Sequence, residues 1–229
     1  MSELRIPYEG NEANGPGRTV RPGKLLCIGR NYARHAAEMG AETPSEPMVF
    51  LKPSSAVIRS GGAVVIPTLS TDVHHEVELV AVIGRSGRHI PADEALSYVA
   101  GYAAGLDMTA RDIQGRAKRE GAPWSVSKGF DTFAPLGDIM SASAVGDPQD
   151  LDVELRINGN VRQSGRTSDM IFPVADLISW CSRIFTLEPG DLIYTGTPEG
   201  VGPVHDGDRL TARVGMLPEL TVSVETERR

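Results

Sequence analysis

The chain has 229 residues, of which 40% are apolar, and its formal net charge is −7. A chain of this length buries about 70% of its unfolded surface, so it needs neither disulfide bonds nor a structural metal to form a core. The negative charge and the lack of a lysine–arginine cluster argue against nucleic acid as a partner, because phosphate binding needs a positive surface.

Cys27 and Cys181 form no CxxC pair and no metal-type spacing with histidine, so we expect two reduced, buried thiols. The first twenty residues are polar and rich in glycine, without the apolar core of a signal peptide. No apolar stretch is long enough to span a bilayer. We therefore expect a cytoplasmic protein with no membrane partner.

Residues 1–22 have the composition of a loosely ordered arm or an edge strand, which Pro22-Gly23 ends. The apolar run 24–28 predicts a strand. Residues 31–39 have helical character, with Gly40 placed as the stop. The polar, proline-bearing segment 41–47 predicts a loop that serves either as a connector or as a lid.

From residue 48 onward strands predominate. The predicted strands are 48–51, 63–66, 76–83, 98–107, 153–157, 191–195, 208–213 and 219–225, and the predicted helices are 92–96, 109–120 and 173–184. Asn158-Gly159 is a two-residue hairpin signal. Because helices do not alternate regularly with strands, we predict a strand-rich α+β fold and not a doubly wound sheet.

Two glutamates open the predicted strand 76–83, and an aspartate ends another. Residues two apart on a strand point to one face, so the carboxylates of Glu76 and Glu78 converge. At about 4 Å they repel by roughly 1 kcal/mol in water and about 4 kcal/mol at an intermediate dielectric, which a cation between them would offset. With Asp107 they form an oxygen-only set, which favours magnesium, manganese or calcium over zinc. The spacing alone is equally typical of a solvated sheet face.

His35 and Glu38 lie three residues apart in the predicted helix 31–39 and therefore share a face. A carboxylate beside an imidazole orients the ring and raises its basicity. This is the arrangement of a water-activating general base. The same spacing is also found in ordinary surface pairs.

Positive and polar side chains follow the third carboxylate. Arg111, Gln114 and Lys118 lie at helical spacings on one face, and Arg111 and Gln114 can reach an anionic ligand of the metal. Lys128 in a nearby loop and Arg30 add positive charge that would let a carboxylate approach. Each of these cations taken alone fits an ordinary surface position.

The segment 196–203, Gly-Thr-Pro-Glu-Gly-Val-Gly-Pro, is a rigid loop after a predicted strand. Its backbone N–H groups and the Thr197 hydroxyl could bind an anion. It lacks the Gly-Lys-Ser/Thr of a P-loop and the helix that opens a dinucleotide-binding site. As an isolated feature it is a turn.

The motifs taken together resemble the fumarylacetoacetate hydrolase family, in its short branch of acylpyruvate hydrolases and oxaloacetate decarboxylases. The matching stretches are CIGRNYARHAAEM (27–39), VFLKPSSAV (49–57), HHEVELVAVIG (74–84), GYAAGLDMTARDIQ (101–114), PWSVSKGFD (123–131) and GDLIYTGTPEGVGPV (190–204). The resemblance implies a mixed β-sandwich roll over 23–229, preceded by an arm at 1–22, and a homodimer.

The resemblance also implies roles for particular residues. The positions that match the family's motifs are Glu76, Glu78 and Asp107 for the metal, His35 and Glu38 for the acid–base pair, and Arg111, Gln114, Lys128 and Thr197 for the substrate. The His35–Glu38 segment is expected to order when ligand binds. Larger members carry a fourth carboxylate just ahead of the histidine, which this chain lacks, so three protein ligands are expected.

The implied activity is Mg²⁺-dependent hydrolysis of a C–C bond in an acylpyruvate such as fumarylpyruvate, with Mn²⁺ or Ca²⁺ as other candidate ions. His35, supported by Glu38, would activate water, and Lys128 would hold the developing enolate charge. The alternative is oxaloacetate decarboxylation, or isomerisation or dehydration of a related 2-oxo acid. A non-catalytic binding module predicts missing metal or dyad residues, and all of them are present.

Overall fold

The computed structural model describes residues 6–9, 19–38, 40 and 42–228. The remainder of the predicted arm, the last residue of the predicted helix 31–39 and the first residue of the 41–47 loop lie outside the described residues. None of the helices in the described part of the chain is long and apolar enough to cross a membrane.

Strands form most of the regular structure. The strands are β1 (Ile6–Glu9), β2 (Thr19–Val20), β3 (Leu25–Gly29), β4 (Met48–Lys52), β5 (Val57–Arg59), β6 (Ala63–Ile66), β7 (Val73–His75), β8 (Val77–Ile83), β9 (Val99–Leu106), β10 (Thr109–Ala110), β11 (Ala134–Leu136), β12 (Ile139–Ser141), β13 (Asp152–Ile157), β14 (Asn160–Arg166), β15 (Leu192–Tyr194), β16 (Gly202–Pro203), β17 (Arg209–Val214) and β18 (Leu220–Thr226). The helices are α1 (Ala33–Glu38), α2 (Arg111–Glu120), α3 (Ser125–Lys128), α4 (Ala142–Val145) and α5 (Val174–Ile184), and 3₁₀ turns cover Ser54–Ala56, Ala95–Tyr98 and Thr167–Asp169.

The strands form three sheets. A ten-stranded mixed sheet runs β2-β1-β12-β9-β8-β15-β3-β4, and β11 joins it by pairing with both β9 and β5. A five-stranded sheet runs β14-β13-β17-β18-β6, and a short one runs β10-β7-β16. Strands β13 and β17 pack against β8, and β17 also packs against β9. This confirms the strand-rich α+β prediction, and the described part of the arm adds β1 and the edge strand β2 beside β12.

Strand β8 is buried along its whole length. Its odd-numbered side chains, such as Leu79, join the larger core between the two main sheets. Val80 and Val82 join a second cluster on the concave side of the ten-stranded sheet, with Tyr194. Glu78 has the same parity as this second set, so the pleat directs its carboxylate to the concave side.

Several predicted boundaries differ from the structure. The predicted helix 92–96 is a 3₁₀ turn at Ala95–Tyr98, and the predicted helix 109–120 begins only at Arg111, because Thr109 and Ala110 pair with β7. The short strands β5, β7, β10, β11, β12 and β16 and the strand β14 carry too weak an alternation to be found. The Asn158-Gly159 hairpin is confirmed, with φ of 51° and 81° at the two turn residues.

Gly101 lies where β9 pairs with β12, and an added Cβ there would stand 2.2 Å from the Met140 carbonyl oxygen. We expect Gly101→Ala to destabilise the protein by about 1–3 kcal/mol or more, since backbone atoms must shift. Gly115 is the control: it lies in α2, and an added Cβ meets no atom closer than 3.6 Å. Gly115→Ala should stabilise by roughly 0.5–1 kcal/mol. Urea denaturation measures both, and equal effects would contradict this account of Gly101.

Candidate metal and acid–base site

Three carboxylates meet where β8 begins and β9 ends. Glu78 pairs with Gly105 across the two strands, and the Asp107 N–H donates to the Glu76 carbonyl over 2.9 Å. One oxygen from each of Glu76, Glu78 and Asp107 lies within 4.8 Å of the other two. All three side chains are buried. The structure therefore brings the three predicted metal ligands together.

Three cations surround these carboxylates. Lys128 Nζ lies 2.8 Å from Glu76 Oε2 and 2.6 Å from Asp107 Oδ2, and Arg111 donates to Glu76 Oε1 over 2.6 Å. Lys52 Nζ contacts Asp107 Oδ1. The charge of Glu76 is therefore compensated by Lys128 and Arg111, which are distant from it in sequence.

Lys52 is the member of this cluster that the sequence pattern missed. Its ammonium is fully buried and also donates to the carbonyls of Met108 and Phe133, over 3.0 and 2.5 Å. Lysine is almost never fully buried unless it is paired, and no local pattern announces such a pair. Lys52 directly follows the predicted strand 48–51, so from the sequence it looks like an ordinary exposed residue at a strand end.

The carboxylates differ in their electrostatic surroundings. Burial opposes the charge on Glu76, but Lys128 and Arg111 hold its pKa well below the usual range. Burial and the neighbouring carboxylates of Asp107 and Glu76 raise the pKa of Glu78 well above its usual range. Glu78 accepts a hydrogen bond from Gly196 N over 2.8 Å but forms no ion pair with any described residue. Its charge is the one that the protein leaves uncompensated.

This arrangement fits a divalent cation. The donors are all carboxylate oxygens, which magnesium and manganese prefer. A cation next to Glu78 would supply the missing positive charge and stabilise its ionised form. The residues that would hold it are Glu76, Glu78 and Asp107.

The predicted acid–base pair is present at the same cavity. His35 Nδ1 lies 3.3 Å from Glu38 Oε2, and Gly200 N donates to the two oxygens of Glu38 over 3.1 and 3.2 Å. A carboxylate beside Nδ1 favours the tautomer in which Nδ1–H donates to it. In the neutral ring Nε2 is then the basic nitrogen. His35 is buried and lines the cavity with Glu76 and Glu78.

The cavity combines charged and aromatic walls. Its lining is Ile28, Gly29, Arg30, His35, Phe50, Glu76, Glu78, Arg111, Gln114, Lys118, Trp124, Lys128 and Thr197. Phe50 and Trp124 meet edge to face with 5.8 Å between ring centroids. The predicted substrate-binding residues Arg30, Arg111, Gln114 and Thr197 thus lie on one wall or another of a single cavity, and their contact with substrate stays a prediction.

Thr197 is tied into a buried network that the sequence pattern did not reveal. Its hydroxyl donates to the Val77 carbonyl over 2.8 Å and accepts from Gln163 Nε2 over 2.8 Å. The Gln163 Oε1 in turn accepts from Val77 N over 3.0 Å and lies 2.9 Å from His75 Nδ1. Because the Thr197 hydroxyl already donates its proton to Val77, it could donate to an anion only if this bond broke. The backbone N–H groups of the 196–203 loop are therefore better placed to donate to an anion.

Comparison with known proteins places this site in a family. Residues 24–225 match the family described as fumarylacetoacetate (FAA) hydrolase C-terminal. The chain belongs to the fumarylacetoacetate hydrolase family. The structure of fumarylpyruvate hydrolase from Pseudomonas aeruginosa in complex with Mn²⁺ and pyruvate is similar, with a TM-score of 0.93 and 40% identity over 99% of this chain and 97% of that one.

Two curated relatives are similar in sequence. The mitochondrial oxaloacetate tautomerase of Arabidopsis thaliana is 50% identical over 202 residues, which cover 88% of this chain and 91% of the relative. The mitochondrial oxaloacetate decarboxylase of Dictyostelium discoideum is 50% identical over 185 residues, covering 80% and 85%. The predicted family and fold are confirmed, and the named relatives are enzymes.

Replacing Glu78 tests the metal site through stability. Because the raised pKa means that ionised Glu78 opposes folding as the pH rises, Glu78→Gln should raise the melting temperature in EDTA at neutral pH. In wild type, Mg²⁺ at 100 times its Kd should stabilise by about 2.7 kcal/mol. In Glu78→Gln this gain should vanish, as measured by thermal denaturation with and without Mg²⁺.

Glu154→Gln serves as the control, because Glu154 lies on β13 and pairs with Arg156 outside the cavity. It should keep the full Mg²⁺ response. An unchanged Mg²⁺ response in Glu78→Gln would contradict the assigned ligand.

Proposed function

We propose that this protein is a divalent-metal enzyme for a small dianionic 2-oxo acid, with oxaloacetate as the first candidate and keto–enol interconversion at C3 as the reaction. The charge of the site carries the proposal. With Glu78 ionised, the three carboxylates balance Lys52, Lys128 and Arg111 in sum, although Glu78 itself has no partner, and Arg30 and Lys118 add positive charge at the cavity. A bound divalent ion would make the cavity strongly positive, which favours a dianion over a monoanion.

The relatives support the choice of substrate. The Arabidopsis protein named as an oxaloacetate tautomerase and the Dictyostelium protein named as an oxaloacetate decarboxylase are both 50% identical to this chain over the matched residues. Tautomerisation and decarboxylation of oxaloacetate share one requirement, since both need stabilised negative charge on the 2-oxo oxygen. A bound divalent ion would act there as a Lewis acid.

The chain's own residues supply the proton chemistry. His35 Nε2, left as the free acceptor when Nδ1–H donates to Glu38, would exchange the proton at C3. Lys128 Nζ, held between Glu76 and Asp107, would stabilise the charge that develops on oxygen. Arg111, fixed by Glu76 and by Gln114 at 2.8 Å, would hold the C1 carboxylate.

Hydrolysis of an acylpyruvate such as fumarylpyruvate is the second candidate. It is favoured by the similarity to the Pseudomonas fumarylpyruvate hydrolase, which extends over 99% of this chain, whereas the Arabidopsis relative matches 88% of it. In this reaction His35 would take a proton from water, the distal carbonyl would be attacked, and the C–C bond would break to give a carboxylic acid and the enolate of pyruvate. Decarboxylation is the one reaction in this set that needs no base at C3 or at water.

Mg²⁺ as the preferred ion, a homodimer and a cytoplasmic location stay predictions.

The deciding experiment offers the purified protein oxaloacetate, fumarylpyruvate and acetylpyruvate, each with Mg²⁺ and with excess EDTA. Ketonisation of enol-oxaloacetate is followed by the loss of enol absorbance, and pyruvate release reports decarboxylation or hydrolysis. Metal-dependent ketonisation that is faster than any pyruvate release supports the proposal. Rapid cleavage of fumarylpyruvate with slow ketonisation would establish the second candidate instead.

His35→Ala should lower kcat for ketonisation or hydrolysis by about 10²–10⁴, because the transferred proton loses its acceptor. Any decarboxylation of oxaloacetate should persist in the same variant. His89→Ala is the matched control, since His89 lies outside the cavity lining and should leave all rates unchanged. Full ketonisation activity in His35→Ala would exclude this histidine as the base.

A further inference from the structure

Besides Lys128, three cations line the cavity. Arg111 and Lys118 come from α2, and Arg30 comes from the segment after β3. Only Arg111 is paired with an acid, Glu76. Among the residues that the structure describes, Lys118 and Arg30 form no ion pair, although each lies on the wall of a cavity that also contains acidic groups. Two unmatched positive charges at one cavity indicate a site for an anion.

The position of Lys118 on α2 gives the distance between the two ends of such a ligand. Arg111 begins α2, and Lys118 lies seven residues later on the same face, about 10 Å further along the axis. Helical side chains lean toward the N-terminus, so the long Lys118 side chain reaches back toward Arg111. Arg111 is the inner cation beside the carboxylates, and Lys118 is the outer one.

Lys118 is an exposed residue, and its side chain lies along the cavity wall. Its Nζ lies 5.3 Å from the centroid of the Trp124 ring, which forms part of the same wall. Burial, together with the positive charges of Arg111 and Arg30, lowers the pKa of Lys118 below its usual value. The three cations are therefore close enough to repel one another, and an anion between them would relieve the repulsion.

Arg30 adds a backbone feature to this group. It is one of the non-glycine residues with positive φ, at 59°. The left-handed conformation costs an ordinary residue of order 1–3 kcal/mol, and the surroundings must hold it in place. Here the conformation coincides with an arginine that lines the cavity.

We propose that Lys118, with Arg30 beside it, binds the second carboxylate of a 2-oxo dicarboxylic acid and is the residue by which this enzyme selects dicarboxylates over monocarboxylic 2-oxo acids. The inference rests on the proposed function, because it takes the metal and Arg111 as the site of the 2-oxo and C1 carboxylate groups. It adds the specificity residue, which lies outside the predicted site residues.

The ligand pair for the test is oxaloacetate and 2-oxobutanoate, which share a four-carbon 2-oxo acid and differ by a carboxylate in place of a methyl group. Lys118→Met removes the charge and keeps an apolar stem against Trp124. In steady-state assays it should raise KM for oxaloacetate about 10–100-fold, as expected for a lost charge-assisted contact, with kcat nearly unchanged. The inhibition constant of 2-oxobutanoate should change less than twofold.

Binding without turnover is measured by calorimetry with Mg²⁺ in a His35→Ala background. The same 10–100-fold loss is expected there for oxaloacetate alone, and Lys118→Arg should recover most of the affinity. Arg116→Met is the control, since Arg116 lies on α2 outside the cavity lining and removes the same charge. It should leave the affinities for both ligands unchanged.

Equal losses for both ligands in Lys118→Met, or the same loss in Arg116→Met, would overturn the inference. Wild-type protein that binds 2-oxobutanoate as tightly as oxaloacetate would also overturn it, while the proposed 2-oxo-acid site would stand. Wild-type protein that binds neither ligand with Mg²⁺ would overturn the proposed function itself.

Discussion

The contact of Lys128 with both Glu76 and Asp107 is the interaction on which the site depends. It joins the start of β8, the end of β9 and the short helix α3 at one buried ammonium. Removing charges from water costs several kcal/mol per ion, so a buried ion cluster is favourable only when nearly every member has its partner. Lys52 completes the partners of Asp107 from the other side. Glu78 is the member left without a counter-charge. Its ionised form opposes folding, but it is the form that would bind a cation.

The curl of the ten-stranded sheet makes this cluster possible. Gly105 on β9 lies opposite Glu78, and an added Cβ there would stand 2.5 Å from Val80 and 2.8 Å from the Tyr194 ring. The missing side chain leaves room for the Tyr194 ring in the buried apolar cluster beside the carboxylates. The metal half of the site thus stands on central strands. The base half stands on the six-residue helix α1, which Glu38 ties to the 196–203 loop through Gly200.

The sequence could predict the features that follow from local pattern. The alternation at the entry to β8 places Glu76 and Glu78 together, and the helical repeat of α2 brings Arg111, Gln114 and Lys118 to the same cavity. The turn at Asn158-Gly159 follows from its residue types. Lys52 and Gln163 were not predicted, because each bonds residues more than thirty positions away. The short strands β5, β7, β10, β11, β12 and β16 were missed for the same reason, since pairing partners and not local alternation create them.

All three candidate reactions need the ionic cluster to stabilise negative charge. They differ in which proton, if any, His35 transfers. Ketonisation, decarboxylation and hydrolysis all develop charge on the oxygen at C2, which the cations around Glu76 and Asp107 would stabilise. They differ in the role of His35. In ketonisation it exchanges a proton at C3, in hydrolysis it takes a proton from water, and in decarboxylation it acts on neither. The room between His35 Nε2 and the bound substrate therefore decides the reaction. A side chain that binds the far end of the substrate also sets the distance between the substrate and His35. The choice of substrate at Lys118 is therefore linked to the choice of reaction at His35.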